Sequence, residues 1–210
     1  MHYALVLWFD KEFKPTCRGE CGLVVYADDL VATFQNKDEA ERFLEDMRNR
    51  FKKFGLELEP EKTRLIEFGR YAEENRKKRG QGKPETFDFL GFTHYCSKSQ
   101  KGYFRVKRKT AKKKLRMRLT EIDDWIRTNR HLPVRTLIAE INMKLRGHYQ
   151  YYGITDNSVS LNTYFYQTTR LLFKWLNRRS QKRSYTWEGF KELLKIFPLV
   201  QPRIRVSIYG

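Results

Sequence analysis

From Leu115 to Leu176 the apolar residues recur at steps of three and four, and this rhythm constrains the fold more than any other feature. Leu115, Leu119, Ile122 and Ile126 form one stripe, and Leu137, Ile138, Ile141 and Leu145 a second. Leu161, Tyr164, Phe165, Thr168, Leu171, Leu172, Trp175 and Leu176 form a third. A strand buries every second residue, whereas a 3.6-residue period lays such positions along one helical face. Pro133 sits where a first helical turn tolerates proline, Gly147 is expected to close that helix, and the third follows Gly153. With a short last helix over residues 186–197, the second half predicts a bundle of three or four helices.

The first half carries a different pattern. Gly22 to Phe34 reads GLVVYADDLVATF, two β-forming runs separated by two aspartates, which predicts a hairpin with Asp28 and Asp29 at its tip. Ala40, Phe43, Leu44, Met47, Phe51 and Phe54 then step at helical spacing. Asn36 and Glu39 are suited to open that helix and Gly55 to end it. Residues 56–58 and 63–68 are short strand candidates around Pro60, and the polar run 69–84 is expected to be a mobile basic loop. Residues 87–95 (FDFLGFTHY) predict one strand kinked at Gly91, and 102–106 continue the same small sheet. The expected class is therefore α+β without internal repeats. A small sheet with a helix occupies residues 1–106, and an α-helical bundle occupies 107–210.

Fifteen Phe, twelve Tyr and four Trp exclude a disordered or low-complexity chain. No run approaches the ~18 apolar residues of a membrane span, and the run Ala4 to Phe9 is too short for a signal core, so a soluble, cytoplasmic protein with no membrane partner is expected. Three cysteines make no disulfide framework, and Cys17, Cys21 and Cys96 lack zinc-ligand spacing.

The charge is concentrated. The net +18 includes ten Lys and Arg between Lys101 and Arg118, where no acidic residue interrupts: Lys101, Arg105, Lys107, Arg108, Lys109, Lys112, Lys113, Lys114, Arg116 and Arg118. A second acid-free stretch, from Asn157 to Trp187, interleaves Arg170, Lys174, Arg178, Arg179, Lys182 and Arg183 with aromatic residues. Phosphates take cations and unstacked bases take rings, so this pattern suits nucleic acid. Into that setting the sequence puts Asp28 and Asp29, adjacent carboxylates that repel unless a divalent cation neutralises them. Mg²⁺ binds through one or two carboxylates and leaves sites for phosphate oxygens. Phosphoryl transfer uses such ions to activate a hydroxyl and stabilise the leaving group.

Here the sequence resembles a known family. Tyr26-Ala27-Asp28-Asp29 between two strands, Gly55-Leu56-Glu57-Leu58 with Glu61-Lys62-Thr63, and Phe89-Leu90-Gly91-Phe92 look like the reverse transcriptases encoded by group II introns. Leu145-Arg146-Gly147-His148-Tyr149, Tyr151-Tyr152-Gly153 and Trp175-Leu176-Asn177-Arg178-Arg179-Ser180 are similar to the maturase-specific, or thumb, domain. The likeness covers essentially the whole chain, in order. It implies a partial polymerase palm in residues 1–106 and a helical thumb in 107–210.

The resemblance implies that Asp28 and Asp29 bind Mg²⁺, with Mn²⁺ as a substitute, that Tyr26 and Ala27 line the floor near the primer end, and that Lys62 meets the incoming triphosphate. Gly91 lets the backbone approach the primer. Arg105, Lys107, Arg108, Lys109, Lys112, Lys113, Arg116, Arg178 and Arg179 contact RNA or the template–primer. His148, Tyr149, Tyr151 and Tyr152 belong to the maturase signature, yet packing is the expected role of most of these rings.

Such palms use a further aspartate on an earlier strand, after a fingers region, and the sequence begins past both. Asp10, on an expected helix, is a poor substitute. The chain is therefore expected to be the C-terminal portion of an RNA-directed DNA polymerase, with little activity alone, and with RNA, a DNA primer and a missing half in trans as partners. The alternative is a catalytically inactive RNA-binding module that helps an intron fold or splice.

Overall fold

In the computed structural model, residues 2–180 and 184–209 are described. They form two compact units, Met1–Phe68 and Gly69–Gly210. The expected class holds: two small antiparallel sheets and a predominantly helical second half. The sheets are two, however, and not the one small sheet expected. The three-stranded one lies inside the second unit, so the expected division at residue 106 falls within that unit.

The first unit opens with two π-type turns, His2–Leu7 and Phe9–Phe13, which place Asp10 on an exposed helical surface. Strands β1 (Cys21–Tyr26) and β2 (Asp29–Phe34) follow, then helix α1 (Lys37–Lys53). The hairpin register pairs Leu23 with Ala32 and Val25 with Leu30, so these side chains line the face that packs on Leu5, Trp8, Phe9, Phe13, Phe43, Met47 and Phe51. Phe13 and Phe43 stack edge to face at 5.1 Å, as do Phe9 and Phe43 at 5.6 Å. Each such pair adds roughly 0.5–1.5 kcal/mol beyond area burial. Asn36 caps α1 indirectly, donating from Nδ2 to Glu39 Oε2 at 3.1 Å, while the buried Glu39 accepts the Arg18 amide at 2.5 Å. At the other end Gly55 takes φ +66, and the Leu56 amide returns to the Phe51 carbonyl at 2.9 Å. The strands expected at 56–58 and 63–68 do not form. Leu56 and Leu58 are half-buried against the aromatic cluster, and neither segment pairs with β1 or β2.

The second unit begins with helix α2 (Ala72–Lys78), where a mobile loop was expected. Glu73 and Glu74 lie in its first turn and Arg76, Lys77 and Lys78 in its last, matching the helix dipole, and Lys78 pairs with Glu74 at 3.0 Å. The segment 87–95 is a hairpin and not a single strand. Strands β3 (Phe87–Phe89) and β4 (Phe92–Lys98) are joined by Leu90 and Gly91, both at positive φ, the geometry of a two-residue turn, and β5 (Phe104–Thr110) pairs with β4.

Helices α3 (Lys112–Asn129), α4 (Val134–Tyr152), α5 (Ser158–Leu176) and α6 (Trp187–Ile196) complete the unit. Helix α4 passes straight through Gly147 and ends at Gly153. Gly147 lies on the exposed side with no neighbour to crowd it, whereas a Cβ at Gly153 would meet the Tyr149 carbonyl at 2.2 Å. The core is drawn from all four helices. Ile126, Leu137, Ile141, Leu145, Leu161, Leu172, Leu176 and Phe190 are fully buried, at about 1.5–3 kcal/mol each.

Two polar devices bind sheet to helices. Asn157 is completely buried: its Oδ1 accepts the Thr110 amide (2.7 Å), and its Nδ2 donates to Thr110 Oγ1 and to the Tyr152 carbonyl (both 2.8 Å). The segment 198–209 then straps the bundle. Asn142 exchanges bonds with Pro198 O and Val200 N, Tyr149 Oη donates to Val200 O, the Arg205 and Val206 amides donate to Gly153 O, and the Thr155 amide donates to Val206 O.

Candidate functional site

The β1–β2 turn has only two residues, Ala27 and Asp28, because Tyr26 pairs directly with Asp29. Ala27 adopts φ +51, which costs an alanine of order 1 kcal/mol and holds the tip in one shape. Tyr26, Ala27, Asp28 and Asp29 are all exposed, with Tyr26 at 63% of its free surface. Neither carboxylate has an ion-pair partner among the described residues. The turn thus presents two bare, adjacent carboxylates, hard oxygen donors of the type Mg²⁺ takes. No group of three or more His, Cys, Asp and Glu side chains able to hold a metal occurs among the described residues. Lys62 is exposed in the turn after Glu59 and makes no ion pair among the described residues.

In the second unit, Gly91 has φ +78, and its carbonyl accepts the Ala111 amide at 2.9 Å. A Cβ there would stand 3.1 Å from Tyr152 Oη. Tyr151, half exposed, donates to the Leu90 carbonyl at 3.0 Å. The hairpin turn is therefore held against the end of α4 by the two tyrosines. His148, Tyr149 and Tyr152 are buried, and packing is their role. His148 lies 3.8 Å over the Tyr164 ring, with both ring nitrogens unpartnered. Burial first, and the Arg118 charge second, push its pKa down to about 4.

The basic tract runs along β5 and into α3. Lys112, Lys113, Lys114 and Arg116 are exposed on α3, and of the ten cations between Lys101 and Arg118 only Arg118 has a carboxylate partner among the described residues, Glu121 at 2.8 Å. Alternation along β5 sorts the rest. Arg105, Lys107 and Lys109 share one face, opposite Ser97, Tyr95 and Thr93 of β4, while Arg108 turns to the other, opposite His94. Arg108 is half-buried with Nη1 unpartnered, and burial, reinforced by this neighbouring cation, pulls His94 below its ordinary range. The Arg105 guanidinium lies 4.2 Å from the Tyr209 ring centroid and the Lys109 ammonium 5.5 Å from that of Tyr95. The Tyr209 hydroxyl bonds Asp156 at 2.6 Å; burial and that carboxylate raise it to about 12.

At the end of α5, Arg178 is exposed beside Trp175, and Arg179 is half-buried, donating to the Leu132 carbonyl at 2.9 Å. Lys182 and Arg183 lie outside the described residues. Tyr209 and Tyr95 escaped sequence reasoning as partners of the cations. The two-residue spacing of Arg105, Lys107 and Lys109 was the available signal.

The family comparison accounts for both units. A model described as reverse transcriptase (RNA-dependent DNA polymerase) matches residues 4–94, and the group II intron maturase-specific domain matches residues 112–193. The chain belongs to the group II intron reverse transcriptase/maturase family. No curated protein matches it. The reverse-transcriptase match includes the acidic turn, α1, β3 and the first residues of β4, and the maturase match begins with α3 and takes in α4, α5 and most of α6. Membership implies RNA and nucleic-acid substrates. No helix among the described residues is long and apolar enough to cross a membrane.

Proposed function

We propose that this chain supplies two metal-binding carboxylates and an RNA-binding surface to an RNA-directed DNA polymerase of the group II intron type. The observation that carries the reading is the exposed Asp28 and Asp29, the second residue of a strained turn and the first of β2, neither with an ion-pair partner among the described residues. Asp28 and Asp29 would hold Mg²⁺, with Mn²⁺ as a substitute, and the bound ions supply the charge neutralisation that two-metal nucleotidyl transfer needs. Both carboxylates face solvent, and neither pairs with a lysine or arginine among the described residues. Tyr26 offers a ring beside them, where the primer end would lie. Lys62 is the candidate for the incoming triphosphate. Two carboxylates leave a metal pair under-coordinated, so a third, from another element or another chain, completes the site.

A second reading, an RNA-binding maturase module with no polymerase chemistry of its own, draws on the unpaired cations of β5 and α3. Primer extension on an RNA template with a DNA primer, dNTPs and Mg²⁺, with RNA binding measured in parallel, tests both. The 210 residues are expected to bind RNA with a log–log salt slope of roughly −4 to −7, for about 6 to 10 neutralised phosphates. Binding should be indifferent to Asp28→Asn, and extension should be negligible. Extension by the wild type that Asp28→Asn abolishes would refute the need for a third carboxylate, and a flat salt response would sink the RNA-binding reading.

A further inference from the structure

We infer that the face of the second sheet carrying Arg105, Lys107 and Lys109 is a track for single-stranded RNA. The inference rests on the RNA-binding reading above and adds which residues act together and on what form of RNA. The three cations are alternate residues of one strand, so their Cα atoms step by about 7 Å along a straight row, a spacing comparable to that of successive phosphates along one extended strand. None of the three makes an ion pair among the described residues. Two are instead held over rings, Arg105 over Tyr209 and Lys109 over Tyr95, which restricts their rotamers and leaves their charge unneutralised. The carboxylates at the margins are already engaged: Asp88 accepts Thr93 Oγ1 at 2.5 Å and Asp156 holds the Tyr209 hydroxyl. A row of cations that pairs with no carboxylate among the described residues is complementary to a polyanion.

The aromatic residue at the entry to β5 favours one strand over two. Tyr103 is 72% exposed, immediately before the strand that bears the row. An unstacked base can lie on such a ring, whereas the bases of a duplex are stacked on one another and cannot.

The test uses the full chain, a fluorescein-labelled single-stranded RNA of mixed sequence, and a duplex RNA of the same length, each titrated at several salt concentrations. Arg105→Gln/Lys107→Gln/Lys109→Gln should lower the single-strand salt slope by about 2, at roughly 0.7 per lost phosphate contact, while Arg48→Gln/Lys52→Gln/Lys53→Gln on α1, with the same change in charge, leaves it unaltered. Should the triple variant lose its wild-type circular dichroism spectrum, the double variant at the exposed Arg105 and Lys109 replaces it, with an expected drop of about 1.4. Tyr103→Ala should weaken single-strand binding roughly tenfold and leave duplex binding unchanged. A wild-type slope in the β5 variant, an equal loss in the α1 variant, or equal losses on duplex and single strand would overturn the inference and leave RNA binding itself standing. Failure of the unaltered chain to bind either RNA would remove both.

Discussion

Replacing His148 with phenylalanine should stabilise the second unit, and by an amount that grows as the pH falls. The wild-type imidazole is buried against Tyr164 and Tyr152, no partner reaches either nitrogen, and its pKa is held near 4 against an ordinary 6.5. Because the folded value lies below the unfolded one, the unfolded chain binds the proton more readily. The histidine's contribution is intact above about pH 6.5 and is lost progressively as the pH falls to about 4. A difference of about 2.5 units at 1.36 kcal/mol each makes that loss roughly 3 kcal/mol. Urea denaturation of both proteins between pH 8 and pH 4, followed by far-UV circular dichroism, measures it. The carboxylates titrate alike in both, so the difference between the two unfolding free energies isolates position 148. It should widen by about 3 kcal/mol over the acid limb, on top of a pH-independent gain of about 1 kcal/mol or more from removing an unsatisfied ring N–H. A difference that stays constant with pH would refute the argument, since it would mean that the folded protein accepts a proton at His148 as easily as the unfolded chain does.

Two further substitutions probe the ties between sheet and helices. Asn157→Ala strands the Thr110 amide inside the protein, while the Tyr152 carbonyl keeps the Ile154 amide at 2.8 Å, and a loss of about 2 kcal/mol in chemical denaturation is expected at 1–3 kcal/mol for the stranded group. Gly91→Ala meets a left-handed backbone and the Tyr152 hydroxyl together; a loss of about 2 kcal/mol is expected, and adding Tyr152→Phe should recover only the steric part, leaving about 1 kcal/mol of backbone strain in a double-mutant cycle.

Features set by neighbouring residues were legible in the sequence. The β1–β2 hairpin and α1 rest on short-range alternation and on a 3.6-residue stripe, and Gly55 ends α1 as its chemistry dictates. Helix α2 was not legible, because AEENRKK carries no apolar stripe and its charge order alone favours a helix. The strand expected over 87–95 divides at Leu90-Gly91, and leucine is a poor signal for a left-handed turn residue. Gly147 misled in the opposite direction, since a glycine on an exposed helical face is tolerated where Tyr149 and Tyr152 beyond it are buried. Residues 56–68 carry β-forming side chains yet pair with no strand, so short runs of this kind do not make a strand by themselves. At the candidate site, Asp28 and Asp29 were legible because a short turn places adjacent residues together. The clasp around Asn157 joins residues 47 apart, and the tyrosines beneath Arg105 and Lys109 come from the far end of the chain and from the adjacent strand, so neither could be read from local pattern.

The strap over residues 198–209 has a consequence for the order in which the second unit matures during synthesis. It fastens α4, Gly153 and Thr155 with residues made some fifty positions later. The end of α4 and its connection to α5 therefore emerge from the ribosome with Tyr149, Gly153 and Thr155 still lacking their strap partners. During that interval the bundle depends on its apolar stripes and on bonds already within reach, the Asn157 clasp and the Trp175–Asp123 contact among them, and a nascent chain paused before Val200 leaves the α4 side of the helical layer open.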